Sequence, residues 1–228
     1  MIAPDRTPSR SAIPTVLMTG FAPFGGEAVN PSWQAVQHVA ATWDGPEALT
    51  IVELPVVFGR SGEVLREAMR RLRPDLVIAV GQAGGRAQVT PERVAINVDD
   101  ARIPDNAGNQ PIDAPIDPDG PAAWFTTLPV KRAVAAIREQ GIPAAVSNSA
   151  GTYVCNHIFY QLMRFIAAEF PGTRGGFVHV PFSLEQVAAA GTAQPSLPVE
   201  TIAAGLAILL RTALAAETDL ALAGGTEH

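Results

Sequence analysis

One cysteine stands where it could act as a nucleophile. Cys155 is the only cysteine among 228 residues and follows the turn-forming segment 148–151. The strongly apolar segment 153–170 predicts a buried helix, so Cys155 should lie in its first turn. Unpaired N–H groups and the positive end of the helix macrodipole favour a thiolate there. Position alone leaves a buried small hydrophobic residue as an equal alternative, because free cysteines are often buried.

A base beside the thiol would decide between these interpretations. The chain has four histidines, His38, His157, His179 and His228. Two lie in an amphipathic segment or at the chain end, and His157 is too close in sequence to share a helical face with Cys155. His179 lies in the apolar run 176–182, which predicts a buried strand closed by proline, near the usual ligand crevice of α/β proteins. A lone histidine there is often structural, but as a partner of Cys155 it is the strongest candidate base.

A carboxylate could orient the imidazole, and the candidate is Glu92. It lies at a loop-to-strand junction, just before the β-type run 94–98. The alternative is a solvated surface carboxylate paired with the adjacent Arg93. The sequence around Glu92 is unusually specific, which favours the functional interpretation.

Five segments occur in the order and spacing of one known family. They are residues 17–33, 81–97, 99–111, 147–156 and 177–182. Together they resemble the pyroglutamyl peptidase I (pyrrolidone-carboxylate peptidase) family of cysteine peptidases. The chain departs from the pattern of that family at Ser149 and at Ser183-Leu184. Both departures lie outside Cys155, His179 and Glu92.

The resemblance implies a catalytic triad and a reaction. Cys155 would be the nucleophile, His179 the base and Glu92 its orienting partner. The enzyme would remove N-terminal pyroglutamate (5-oxoproline) from peptides and proteins through a thioester acyl-enzyme, without cofactor or metal. The resemblance also implies a homo-oligomer, commonly a tetramer.

The resemblance further implies contacts to the substrate. Phe21 and Phe24 would close on the pyrrolidone ring, and Asn30 and Gln82 would make polar contacts to it. Arg102 matches an arginine near the reacting centre and could assist in holding the oxyanion.

Two other function classes stay open. The glycine-containing loops 20–26 and 81–86 could cradle phosphate in a phosphate-using or other hydrolase, although neither fits a dinucleotide or P-loop pattern. The chain could also be a catalytically silent binding module on the same fold, which predicts an unreactive thiol at Cys155.

Composition excludes several partners. The net charge is −6 and the chain has a single lysine, so no basic face invites nucleic acid. No uninterrupted apolar run reaches roughly 18 residues, which argues against membrane insertion. One cysteine permits no internal disulfide, so a reducing compartment, the cytoplasm, is expected. The acidic loop 100–120 has no histidine and no ligand spacing typical of a metal site.

The alternation of elements predicts the fold class. Strands are predicted at 15–19, 49–57, 76–80, 94–99, 144–148 and 176–180, and helices at 31–43, 60–71, 129–139, 153–170, 184–190 and 199–218. This order indicates one three-layer α/β/α domain with a mixed, mainly parallel sheet. Strand 94–99 follows 76–80 too soon for a crossover helix, which predicts an antiparallel excursion.

The chain divides into three parts. Residues 1–14 are predicted to be a flexible N-terminal extension, residues 15–218 a single catalytic domain, and residues 219–228 a flexible C-terminal tail.

Overall fold

Strands and helices alternate along most of the chain in the computed structural model, which describes residues 13–224. The elements are β1 (Thr15–Phe21), α1 (Pro31–Thr42), β2 (Ala48–Leu54), α2 (Arg60–Leu72), β3 (Leu76–Gln82), β4 (Thr90–Pro91), β5 (Val94–Ile96), β6 (Ala123–Phe125), α3 (Val130–Glu139), α4 (Val154–Glu169), β7 (Arg174–Val180), β8 (Phe182–Ser183), α5 (Leu184–Ala190), β9 (Ser196–Leu197) and α6 (Val199–Ala215).

The central sheet has five strands in the order β2-β1-β3-β7-β4. The first four strands are parallel, and β4 runs antiparallel to β7. Strands β5 and β6 form a separate antiparallel pair, so the predicted excursion after β3 is confirmed. The mixed, mainly parallel sheet of the predicted α/β fold is confirmed with it.

Helices cover both faces of this sheet, because alternate strand residues point to opposite sides. The side chains that pack against α1, α3 and α6 include Val16, Met18, Ile78 and Val178. Those that pack against α2 and α4 include Leu17, Val77, Ala79 and Phe177. Each large apolar side chain buried in this way contributes about 1.5–3 kcal/mol to the hydrophobic stabilisation.

The predicted strand 144–148 is wrong as a regular strand. The segment runs beside residues 89–93, but it forms only isolated bridges, Val89 with Ala144 and Glu92 with Ser147. Pro91 interrupts the pairing between these two bridges, because proline has no N–H to donate to a ladder. The segment still hydrogen-bonds beside Glu92, since Arg93 N donates to Ser147 O at 2.8 Å.

The chain beyond α6 contacts the start of α3. The Asp219 carboxylate accepts hydrogen bonds from the backbone N–H groups of Lys131 and Arg132. Arg93 Nη2 donates to the carbonyl oxygen of Gly224 at 2.9 Å. These contacts attach the first six residues of the predicted tail to the domain. Residues 1–12 and 225–228, with most of the predicted extension and the rest of the predicted tail, lie outside the described residues.

Candidate active site

The thiol of Cys155 lies against the carboxyl end of the parallel sheet. Cys155 is the second residue of α4, in the first turn as predicted, and is partly buried. A methyl carbon added at Gly81 of β3 would lie 2.8 Å from its Sγ and 2.7 Å from the Phe177 ring. The sulfur therefore occupies the space that the absent side chain of Gly81 leaves free.

His179 lies on the same face of the sheet as this thiol. Gly81 pairs in register with His179 on the neighbouring strand β7. Residues in register on parallel strands point to the same side of a sheet. Phe177, two residues earlier on β7, packs against the imidazole with ring centroids 4.9 Å apart. The sheet thus places the thiol of Cys155 and the imidazole of His179 over adjacent positions of one face.

Glu92 reaches the imidazole from the antiparallel edge. Strand β4 pairs Thr90 with His179, and Glu92 follows it directly, with its N–H donating to Phe177 O at 2.8 Å. His179 Nδ1 lies 2.7 Å from Glu92 Oε1, and both side chains are buried. A neutral imidazole that donates from Nδ1 has an unprotonated Nε2, which is free to accept a proton.

Arg86 is a site residue that the sequence analysis missed. Its Nη1 donates to Glu92 Oε1 at 2.7 Å and to Thr90 Oγ1 at 2.6 Å, while its Nη2 donates to Ser149 O. Arg93, the partner expected for a solvated Glu92, instead points its side chain towards Gly224. The pairing depends on how the loop after β3 folds back, and only the Gly-Gly-Arg spacing before Glu92 hints at it.

Burial controls the protonation of the two reacting groups. It raises the pKa of the Cys155 thiol to about 12; the Glu92 charge adds to this shift and Arg86 opposes it. Burial also lowers the pKa of His179, an effect that the Glu92 hydrogen bond and charge partly offset. Both shifts favour a neutral thiol beside a neutral imidazole, whereas the helix terminus alone favours a thiolate.

A narrow recess opens beside the sulfur. It has a cavity volume of about 10 Å³ and is lined by Phe21, Phe24, Asn30, Val56, Gln82, Tyr153, Val154 and Cys155. The Phe24 and Tyr153 rings pack with centroids 6.1 Å apart. Four of these lining residues are the ones for which the resemblance implies contacts to a pyrrolidone ring.

Comparison with known proteins decides the family. The sequence pattern of the family described as pyroglutamyl peptidase matches residues 14–216. The chain belongs to the pyroglutamyl peptidase family. The assignment as a peptide hydrolase, which the resemblance implied, is confirmed with it.

Relatives of the pyroglutamyl peptidase family are similar over almost the whole chain. A pyrrolidone-carboxylate peptidase of Streptomyces coelicolor is 62% identical over 93% of this chain and 99% of its own length. The crystal structure of pyroglutamyl peptidase I from Bacillus amyloliquefaciens is 53% identical, with a TM-score of 0.87 over 91% of this chain and 100% of its own. A mutant pyrrolidone carboxyl peptidase of Pyrococcus furiosus is 40% identical, with a TM-score of 0.84, over 88% of this chain and 98% of its own.

Asn30 and Arg102 have different surroundings from those that the family resemblance implies. Asn30 caps α1: its Oδ1 accepts from the N–H and hydroxyl of Ser32, and its Nδ2 donates to Ala22 O. Its amide groups are therefore engaged within the protein although it lines the recess. Arg102 is exposed and lines a larger neighbouring groove together with Phe182, not the recess that contains Cys155.

A second histidine–carboxylate pair lies behind the site. His157 Nδ1 is 2.8 Å from Asp99 Oδ2, and its Nε2 accepts from the N–H of Gly59 at 3.2 Å. Both of its ring nitrogens are thus engaged away from Cys155, as the different helical face predicts.

Among residues 13–224, no group of three or more His, Cys, Asp or Glu side chains could hold a metal ion. Within the same range, no helix is long and apolar enough to cross a membrane.

Proposed function

We propose that this chain is a cysteine-type omega peptidase that releases N-terminal pyroglutamate from peptides and proteins. The observation that carries the proposal is the recess, which joins the Cys155 sulfur to Phe21, Phe24 and Gln82. Membership of the pyroglutamyl peptidase family supports it. The catalytic domain would comprise residues 15–218, and assembly as a homotetramer is the expectation that the resemblance carries.

The chemistry of the recess suits a cyclised N-terminal residue. Pyroglutamate has no free α-amino group, so a site for it needs no carboxylate to pair with an ammonium ion. The eight residues that line the recess include no Asp, Glu, Lys or Arg. Aromatic faces such as Phe21 and Phe24 match the flat ring, and a few polar groups can bind the lactam N–H and C=O.

The two neutral groups would react in a concerted way. His179 Nε2 takes the proton of the Cys155 thiol while Sγ attacks the carbonyl carbon of the pyroglutamyl residue. The negative oxygen that forms is held by N–H groups of the first turn of α4, which have no partner within the helix. The imidazolium, held by Glu92, then protonates the leaving amine, and the C–N bond breaks to give a thioester.

Water completes the cycle. His179 accepts a proton from water as the oxygen attacks the thioester carbonyl, and the C–S bond breaks. The departing sulfur regains its proton, and free pyroglutamate leaves. Thiol, imidazole and Glu92 all return to their starting protonation states, so no cofactor or metal is consumed.

The proposed function predicts a narrow substrate range. Purified protein under reducing conditions should release the fluorescent amine from pyroglutamyl-aminomethylcoumarin and leave the prolyl and alanyl analogues intact, because those carry a charged amine. Alkylation of the single thiol should stop turnover. Folded, reduced protein that leaves all three substrates intact would contradict the proposal and leave the silent binding module. Turnover that requires added phosphate would favour the phosphate-using hydrolase.

The close contact between Cys155 and Gly81 predicts that even a methyl group there is harmful. In Gly81→Ala the new carbon would overlap both Sγ and the Phe177 ring, and overpacking of this kind costs about 1–3 kcal/mol of stability. A displaced sulfur should lower kcat/KM for the pyroglutamyl substrate on the order of 10- to 100-fold. Gly62→Ala is the matched control, because its nearest neighbour would be 3.6 Å away at Gln161. Equal activity of the two variants would contradict the placement of the thiol.

A further inference from the structure

Gln186 is a buried polar residue that the proposed reaction does not use. It lies in the first turn of α5 and forms a capping box with Ser183. The backbone N–H of Gln186 donates to Ser183 Oγ at 3.2 Å, and the N–H of Ser183 donates to Gln186 Oε1 at 3.1 Å. A backbone N–H can only donate, so this contact assigns the oxygen of the Gln186 amide to the Ser183 side.

The nitrogen of the same amide faces the candidate site. Gln186 Nε2 lies 3.4 Å from the carbonyl oxygen of Val29, 3.5 Å from Glu27 Oε2 and 3.1 Å from Gln82 Oε1. The first two partners can only accept hydrogen bonds. The oxygen of the Gln82 amide must therefore face Gln186.

This arrangement leaves one group of Gln82 for a ligand. Gln82 ends β3 and lines the recess beside Cys155. Within residues 13–224 its Nε2 donates to no protein acceptor, and it is not among the buried side-chain atoms that lack a partner. An N–H donor without a protein acceptor thus belongs to a residue that lines a recess of largely apolar side chains.

We propose that Gln186 is a positioning residue, which orients the amide of Gln82 so that Nε2 donates to the lactam carbonyl oxygen of the substrate. This inference rests on the proposed function. The hydrogen bonds form a relay from Ser183 through Gln186 and Gln82 to the ligand. The backbone N–H of Ser183 can only donate, and this fixes the direction of each hydrogen bond that follows it. A ring with a hydrogen-bond acceptor beside its nitrogen is thereby preferred over a ring with a methylene group or a donor at that position.

The test inverts the polarity of this relay while it keeps the fold. Gln186→Glu retains the capping box, because glutamate serves as well as glutamine at this position. While this carboxyl group is ionised its second oxygen can only accept, so Gln82 must turn its Nε2 towards residue 186 and its oxygen towards the recess. Combining the change with Glu27→Gln removes the nearby carboxylate and keeps the net charge of the protein unchanged.

The readout is binding of 2-pyrrolidone, the ring without its peptide, as a competitive inhibitor. In the double variant its inhibition constant, and KM for pyroglutamyl-aminomethylcoumarin, should rise roughly tenfold, which is the loss of about one hydrogen bond. The value of kcat, the alkylation rate of Cys155 and the melting temperature should change little. Binding of 2-iminopyrrolidine, which has a donor in place of the carbonyl, should improve in the same variant. Glu27→Gln alone is the control for the charge.

The outcomes separate this inference from the proposed function. Wild-type protein that hydrolyses the pyroglutamyl substrate, with equal 2-pyrrolidone binding in all variants, would overturn the role of Gln186 alone. Wild-type protein without turnover would overturn the proposed function. If the double variant does not fold, Gln186→Met decides: ring binding weakened about threefold or more supports the relay, and unchanged binding overturns it.

Discussion

Cys155→Ala is expected to lower kcat/KM for pyroglutamyl-aminomethylcoumarin by roughly 10⁶-fold, the size of effect seen when a hydrolase loses its nucleophile. The recess offers no replacement, since none of its other lining residues carries an aliphatic hydroxyl or a thiol. The exposed Ser149 is not among them, and its hydroxyl already accepts from the N–H of Gly151. Initial rates at substrate concentrations well below KM, compared with the uncatalysed hydrolysis, would measure the residual kcat/KM.

Ring binding provides the control for this variant. The alanine variant should still bind 2-pyrrolidone with an affinity close to that of the wild type, because Phe21, Phe24 and Gln82 are unchanged. Cys155→Ser keeps the size of the side chain but has a hydroxyl that is harder to deprotonate, so it should also be almost inactive. Wild-type turnover in either variant would exclude Cys155 as the nucleophile.

The place of Cys155 could be predicted because its signals are local. A turn-forming segment followed by a long apolar run predicts where a helix begins, and α4 begins at Val154, one residue from the predicted start. Helix α1 likewise begins at its predicted start, Pro31, where the Asn30 side chain caps it. Helix starts depend on a few neighbouring residues, which a single sequence contains.

The protonation state of the site could not be predicted from these local signals. The helix terminus favours a thiolate at Cys155, but the sulfur lies against Gly81, and burial raises the pKa of the thiol. Removing a charge from water outweighs the partial charge of a helix end, and the extent of burial depends on contacts between distant strands. The pairing of Arg86 with Glu92 could not be predicted for the same reason, since it depends on how β4 lies along β7.

The irregular pairing at the edge of the sheet could not be predicted from the sequence either. Residues 144–148 have the composition of a strand, yet Pro91 in the neighbouring segment limits them to isolated bridges. The interruption has a consequence for the site. Thr90 and Pro91 pair with β7 on one side, and Ser147 contacts Glu92 on the other, so the carboxylate that orients His179 is held between two segments.

Glu92→Gln is expected to lower kcat/KM for the same substrate on the order of 10³–10⁴-fold, less than loss of the thiol. The amide keeps the size of the side chain, but its N–H₂ group can donate to His179 Nδ1 and stabilise the tautomer that carries its proton on Nε2. That tautomer cannot accept the thiol proton of Cys155. Asp99→Asn makes the same change at the other histidine pair, with His157, and should leave kcat/KM within a few-fold of the wild type while it lowers the melting temperature.

The pH profile distinguishes an electrostatic role of Glu92 from a merely structural one. Burial lowers the pKa of His179, so the rise of kcat/KM with pH in the wild type should be centred below the usual imidazole value of 6.5. The Glu92 charge and hydrogen bond raise that pKa part of the way back. Their removal in Glu92→Gln should therefore shift the rising limb to still lower pH, because less alkaline conditions suffice to deprotonate the imidazole. A loss of activity with an unmoved limb would mean that Glu92 only supports the fold around His179.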